Sequence, residues 1–325
     1  MGDSMAGGGP GGTGGKRSAP GDELVSVILS FRNEKDVLAE LVSRLDAVLS
    51  KEPGEYELLF VNDDSNDGSL DVLLMARAKN PRVKIINMSR RFGQPECLMA
   101  GLAHAKGDAV VYMDADLQDP PEVIPEMLAK WRQGAEVVYT VRTRREGENP
   151  VRMWLTRMAY RMINVSSEID MPVNAGDFRL LSRLACDNLI KLSESDPYAR
   201  GLVPWIGYRQ EPVFYERAAR AAGRTHFSLF NSLTPYKVFI SGFTSFSMAP
   251  IFLIFLIGGA VAGISLLGLL AAALLSALTA AWIFFALLLW GSLLFALGWV
   301  GIYVGRIYKD VRGRPRYIIK DTVGL

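Results

Sequence analysis

The sequence predicts an α/β domain with a mostly parallel sheet, followed by an apolar two-helix hairpin. Three observations lead there. Short apolar runs alternate with helical periods from Leu24 to about Val141. Those runs are apolar almost end to end, as expected of parallel strands covered by helices on both faces. Further on, between Val238 and Ile307, Arg306 is the only charged residue.

Residues 1–22 are mostly Gly, Ser, Pro and Ala. They bury too little to offset their ordering entropy and read as a disordered tail. No apolar stretch follows Lys16-Arg17, so this is not a signal peptide. Ala6 stands where N-myristoylation wants Ser or Thr. Val25–Ser30 reads as the first strand. Asp36–Ser50 reads as a helix, with Val37, Leu38, Leu41, Leu45 and Leu49 on one face. Glu57–Val61, Val83–Met88 and Ala109–Met113 are the next strands, with helices Ser69–Lys79 and Glu96–Ala105 between them. Asp119-Pro120-Pro121-Glu122 is expected to open another helix, with Asp119 as N-cap, Pro at N1 and Glu at N3. Glu136–Val141 is a fifth strand.

The apolar end is too long for one crossing. From Phe246 to Val304, a single helix would measure roughly 90 Å at about 1.5 Å per residue, three times a bilayer core. Two spans near 248–272 and 280–305 fit, with a tight turn at Leu275–Thr279. The segment before them (226–247) is rich in Phe and Tyr and reads as interfacial. Phe227, Phe230, Tyr236, Phe239, Phe243 and Phe246 there suit either membrane anchoring or core packing. Basic residues flank the hairpin on both sides, Arg217, Arg220, Arg224 and Lys237 before it and Arg306, Lys309, Arg312, Arg314, Arg316 and Lys320 after it. The positive-inside rule then puts the catalytic domain (23–225) and both termini, including a basic tail (306–325), in the cytoplasm. The spans hold no ionisable residue before Arg306, which argues against a transporter or ion path.

Composition excludes other classes. The 36 Lys+Arg and 34 Asp+Glu leave a net charge of +2, without the strongly basic balance of a nucleic-acid binder. Two cysteines lie far apart in sequence and there are only two histidines, so neither a disulfide framework nor an ordinary Cys/His zinc site is available. No strand leads into a Walker-type loop or a G-x-G-x-x-G, so neither phosphate cradle applies.

In an open parallel sheet, ligands bind beyond the carboxyl ends of the strands. The residues there are Arg32-Asn33-Glu34, then Asn62 to Gly68, then Ser89 to Gly93, then Asp114 to Asp119, then Arg142, Arg144 and Arg145. Carboxylates and arginines converge on one edge. Asp114-Ala115-Asp116 is the sharpest feature, since alternate residues leaving a strand can aim two carboxylates at one point. Hard oxygen ligands suit Mg²⁺ or Mn²⁺, which bridges diphosphate oxygens. Asp67 and Asp119 read equally as turn or cap residues.

Four blocks carry a resemblance. Asn62-Asp63-Asp64-Ser65-Asn66-Asp67-Gly68-Ser69 is similar to the D-D-G-S-x-D-G-T segment of family-two glycosyltransferases. Asp114-Ala115-Asp116-Leu117-Gln118-Asp119-Pro120-Pro121-Glu122 resembles the D-A-D-L-Q-D-P-P-E block of the polyprenyl-phosphate branch, which includes dolichyl-phosphate mannose synthase and bacterial bactoprenol glucosyltransferases. Gly176-Asp177-Phe178-Arg179-Leu180 resembles its G-D-F-R-L block. Arg200 to Tyr208 resembles its R-G-L-x-x-W-x-G-F segment.

The resemblance implies a GT-A (Rossmann-like) catalytic domain, a UDP- or GDP-sugar donor, a divalent cation and a polyprenyl phosphate acceptor held at membrane lipids. UDP-glucose is the first donor to test; undecaprenyl and dolichyl acceptors both fit, as does a homo-oligomer. It assigns Asp63 to the base or ribose, Ser30, Arg32 and Glu34 to the nucleotide, and Ala115, Asp116 and Gln118 to the diphosphate and metal. Asp114 joins Asp116 and Gln118 as metal ligands. Arg142 matches an arginine near the sugar-phosphate. Arg220, Arg224 and His226 fall in a phosphate-contacting R-x-x-G-E-S/T-K block, in which Arg224 and His226 stand for Glu and Lys. Arg32 replaces an aromatic, and Asp64 a glycine. Asp177 and Arg179 are expected at the catalytic centre, Asp177 as orienter or base or as an ion-pair partner of Arg179. In-line displacement predicts an inverting transfer. A processive polysaccharide synthase is the first alternative, though no glutamine here begins a Q-x-x-R-W block. A catalytically silent nucleotide-sugar scaffold is the second.

Overall fold

A computed structural model describes residues 21–142, 158, 161, 175–192, 194, 199–216, 249–274 and 278–325. Eight strands form one sheet: β1 (Leu24–Phe31), β2 (Glu55–Asn62), β3 (Val83–Met88), β4 (Ala109–Asp114), β5 (Val137–Arg142), β6 (Ala175–Ser182), β7 (Gln210–Tyr215) and β8 (Ile319–Val323). Their order is β7-β5-β6-β4-β1-β2-β3-β8. β1 to β4 pair in parallel, and so do β5 and β7. β6 and β8 run antiparallel to their neighbours.

The first four strands form where apolar runs predict them, each within two residues of its expected start. Their burial is nearly unbroken because helices cover both faces: α1 (Lys35–Leu49), α2 (Ser69–Lys79), α3 (Gln94–His104), α4 (Ile124–Arg132), α5 (Arg183–Lys191) and α6 (Ala199–Trp205). On α1 the predicted stripe is buried, with Val42 added to it. Leu38, Leu41 and Leu45 are fully enclosed, each contributing about 2 kcal/mol by area. One core lies under α1, α2 and α4, with Leu29, Phe60 and Ile85 at its centre. The other lies under α3 and α5, around Ile28, Leu59 and Ile86. α3 crosses β1 closely enough that any Cβ on Gly101 would overlap the Ile28 side chain.

Three features differ from expectation. The Asp119 helix does not begin with an Asp cap. A 3₁₀ turn at Pro121–Val123 leads into α4, the residue before that turn is Pro120, and no side chain caps it. Asp119 is instead fully buried beneath the sheet edge. The second difference is β6, β7 and β8, which no apolar alternation announces. The third is the basic tail: its last residues are not free but form β8 against β3.

Two long apolar helices separate β7 from β8, α7 (Ala249–Leu274) and α8 (Leu278–Val311). Leu288–Val311 is long and apolar enough to cross a membrane and is unburied. In α7 the apolar stretch Leu256–Gly268 is shorter. Leu278 and Thr279, expected in the turn, are helical; residues 275–277 lie outside the described residues. The N-terminal tail up to residue 20 and the interfacial segment 226–247 lie outside the described residues.

Candidate active site

The site is built from loops at the carboxyl ends of β1 to β5. The loops after β1 and β2 are stitched together. The Asn33 N–H donates to Ser65 Oγ (3.1 Å), Asn66 N–H to Asn33 Oδ1 (2.9 Å), and Glu34 N–H to Ser69 Oγ (3.0 Å). Asp67 does act as a cap: its Oδ2 accepts from the Lys35 N–H at the start of α1 (3.1 Å). Asp63 organises the third loop. Its buried carboxylate accepts from the Phe92 N–H (2.6 Å) and the Gly93 N–H (3.1 and 3.2 Å). Gly93 has φ 111°, a conformation that only glycine adopts without strain.

Three non-glycine residues among those described have positive φ: Asn33 (57°), Asp64 (59°) and Leu117 (58°). All follow a parallel strand at this edge. Asn and Asp tolerate the left-handed region; Leu does not. The Leu117 side chain is buried in the core under α1, α2 and α4, and the strain sits inside the D-A-D-L-Q-D block. Asp64 meets with a carboxylate the turn for which the family's glycine is suited.

The acids of β4 and β6 meet at this edge. Burial, followed by the charges of Asp177, Asp116 and Asp119, pushes the Asp114 carboxyl up to about 8. Gln94 Nε2 donates to Asp114 Oδ1 (2.6 Å), and Asp116 Oδ1 accepts from the Gln118 N–H (3.1 Å). Behind them lies a buried set. Tyr215 Oη donates to Asp119 Oδ1, Arg142 Nε donates to Tyr215 Oη (3.2 Å), and Arg142 reaches Asp119 at 3.9 Å. Asp177 pairs with Arg200 through two bonds (2.5 and 2.8 Å), not with Arg179. Arg179 turns Nε to the Gly176 carbonyl (3.1 Å). Burial alone would raise the Asp177 carboxyl, but the charge and hydrogen bonds of Arg200, then Arg179 and Arg142, outweigh it and hold it down at about 2.

Ser30 hydrogen-bonds Tyr112 (3.1 Å) behind Asp114. Arg32 has its Nε buried without a protein partner among the described residues. Glu34 sits at the start of α1, and Ala115 is buried between the two aspartates. Thus Ser30, Arg32, Glu34, Asp63, Asp114, Ala115, Asp116, Gln118, Arg142, Asp177 and Arg179 all lie along one edge. Arg220, Arg224 and His226 lie outside the described residues. Sequence reasoning does not reach Gln94, Tyr112, Arg200, Tyr215 or the buried role of Asp119. Only Arg200 carries a signal, as the first residue of its own block.

The family model described as glycosyl transferase family 2 matches residues 26–190. The chain belongs to that family. Among its relatives, the uncharacterized glycosyltransferase YkcC of Bacillus subtilis is 41% identical over 307 residues, covering 92% of this chain and 94% of the relative. A prophage-derived bactoprenol glucosyl transferase of Shigella flexneri is 34% identical, covering 92% and 98%. Such relatives bear out the resemblance to the polyprenyl-phosphate branch. Of solved structures, mannosyl-3-phosphoglycerate synthase from Rubrobacter xylanophilus superposes with a TM-score of 0.48 at 18% identity, covering 69% of this chain and 73% of that one. This family-2 glycosyltransferase has a GT-A-like α/β fold with a mostly parallel sheet.

Whether a divalent cation fits can be judged from the donors. Among the described residues no group of three or more His, Cys, Asp and Glu is arranged to hold a metal by itself. Asp114 and Asp116 offer two hard oxygen donors at and just beyond the carboxyl end of β4, where burial first and the acids Asp177, Asp116 and Asp119 next oppose ionisation of Asp114 unless positive charge is brought in. Two hard carboxylate donors fit a Mg²⁺- or Mn²⁺-type ion.

Proposed function

We propose that this glycosyltransferase moves a sugar from a nucleotide sugar to a polyprenyl phosphate, with inversion, at a membrane surface. The observation that carries the reading is the acid pair Asp114/Asp116 at one sheet edge beside Asp177, whose carboxylate is held by Arg200, Arg179 and Arg142. Relatives named bactoprenol glucosyl transferases support the acceptor class, and UDP-glucose is the first donor to test.

The chemistry follows from the groups. A phosphate monoester is largely dianionic at neutral pH. Its oxygen can bond to the anomeric carbon as the bond to the donor diphosphate breaks, and the nucleoside diphosphate leaves. Such a nucleophile needs little help from a base. Asp177, held low by Arg200, is a weak proton acceptor, which agrees with an orienting role. Arg179 and Arg142 supply positive charge near the transferring phosphate, joined by Arg220, Arg224 and His226 in this reading. Ser30, Arg32, Glu34 and Asp63 bind or frame the nucleotide. Asp114, Asp116 and Gln118 would hold a Mg²⁺ or Mn²⁺ ion, which supplies Lewis-acid stabilisation of the leaving diphosphate.

A polyprenyl tail stays in the bilayer, so the site must work at its surface. β8 follows α8 yet pairs with β3 of the catalytic domain. Any number of crossings between them is therefore even, which supports two spans by α7 and α8. The basic residues near the end of α8 favour the cytoplasmic side.

The test uses purified full-length protein, labelled UDP-glucose and undecaprenyl phosphate. One sugar per lipid is expected, with transfer by Asp116→Asn reduced about 100-fold or more. Undiminished transfer in that variant would overturn the metal assignment, and long polymers would favour the processive alternative.

A further inference from the structure

The tail after α8 returns to the catalytic edge. In register, Asn62 of β2 stands beside Asn87 of β3, and Asn87 beside Asp321 of β8. Residues so paired present their side chains on one face. The hydrogen bonds run in one direction. Asn87 Nδ2 donates to Asp321 Oδ1 (2.5 Å), Asn62 Nδ2 to Asn87 Oδ1 (3.0 Å), and the Ser65 N–H to Asn62 Oδ1 (2.9 Å). Ser65 Oγ in turn accepts from the Asn33 N–H. Each amide is oriented by the next, because its carbonyl accepts from one side and its NH₂ donates to the other. Both asparagines are buried, where an unpaired amide is costly.

Asp321 terminates this series and, as an acceptor-only carboxylate, fixes its polarity. A shift of register between Asn87 and Met88 displaces Lys320 from the ladder. A pocket of about 230 Å³ opens at the same junction, lined among others by Asn62, Asp64, Ser65, Asn87, Lys320 and Asp321.

We propose that Asp321 is a positioning residue for donor binding: through Asn87 and Asn62 it sets the loops after β2 and β1 that frame the nucleotide. The C-terminal strand is thereby part of the donor site, and the chain leaving α8 bears directly on it. This rests on the nucleotide-sugar reading above.

The test compares Asp321→Ala with Asp321→Asn in the full chain. Asparagine keeps an oxygen that accepts from Asn87; alanine does not. Asp321→Ala should raise the donor KM about fivefold, with kcat within about twofold of wild type. The amides of Asp63 to Ser65 should exchange hydrogen about fivefold faster. Asp321→Asn should restore both. Unchanged KM and unchanged exchange in Asp321→Ala would overturn the proposal, as would a fall in kcat and thermal stability at constant KM. Exchange needs no donor. Faster exchange in a protein whose wild type turns over no nucleotide sugar would keep the strand–loop link and overturn the donor reading instead.

Discussion

Two carboxylates of one sheet, Glu57 in the amino half of β2 and Asp114 at the carboxyl end of β4, meet opposite surroundings. Glu57 is buried and fully served. Ser26 Oγ and the Lys106 N–H donate to one oxygen (2.5 and 2.9 Å), and Lys84 Nζ to the other (2.6 Å). Burial alone would raise its carboxyl, but these partners outweigh burial and hold it below its ordinary range. Among the described residues Asp114 has one hydrogen-bond donor, Gln94, and burial together with three acidic neighbours pushes its carboxyl up to about 8. A carboxylate that holds the fold together is compensated within the chain. One kept uncompensated at a ligand edge is compensated by what binds there.

The sharpest way to break this contrast is to neutralise each acid in turn. Asp114→Asn should lower glycosyl transfer about 100-fold. It should leave stability equal or higher, the gain growing as pH rises from the ordinary value of 3.8 to about 8, because it removes a carboxyl whose ionisation is opposed by burial and by Asp177, Asp116 and Asp119. Denaturant unfolding beside the transfer assay checks both; a variant less stable than wild type would remove the contrast.

Glu57→Gln should do the reverse. It leaves Lys84 without its ion pair, and a loss of about 2 kcal/mol is expected, with transfer per folded molecule unchanged. The pH dependence has a definite sign. Because folding lowers the Glu57 carboxyl, its contribution is present above the ordinary value of 4.5 and lost as pH falls through the lower folded value. Glu57→Gln should therefore flatten the acid limb of the stability profile. An unaltered acid limb would show that Glu57 is not compensated as described.

Much of the fold is legible in the sequence, and unevenly so. β1 to β4 and α1 announce themselves, because an unbroken apolar run suits a strand covered on both faces and a 3.6-residue period suits a helix with one buried stripe. The D-A-D block stands out because a strand end with two alternate acids has a chemical reading. β8 does not, because Ile319-Lys-Asp-Thr-Val323 is a short edge strand whose pairing depends on β3, more than two hundred residues earlier. Asp119 misleads because Asp before Pro-Pro-Glu is what a cap looks like locally. Its Tyr215 partner comes from β7, a strand that local pattern does not reveal. Asp177 invites pairing with Arg179, its near neighbour in sequence, whereas the fold supplies Arg200 from α6.

The smallest expected effect concerns the loops. Asp64 is exposed at φ 59°. Asp64→Gly should stabilise the protein by about a few tenths of a kcal/mol at most and leave donor KM unchanged. A large change in KM would assign Asp64 a contact with the nucleotide, making that loop more than a frame.

The central claim is that Asp114 and Asp116 hold a cation against the donor diphosphate. Titration calorimetry of UDP and GDP, with and without Mn²⁺, tests it most directly. Wild type should bind its preferred nucleotide at least about tenfold more tightly with the cation, and the Asp114→Asn/Asp116→Asn double variant should lose that gain. Equal affinity with and without Mn²⁺ in wild type, or the same gain in the double variant, would contradict it.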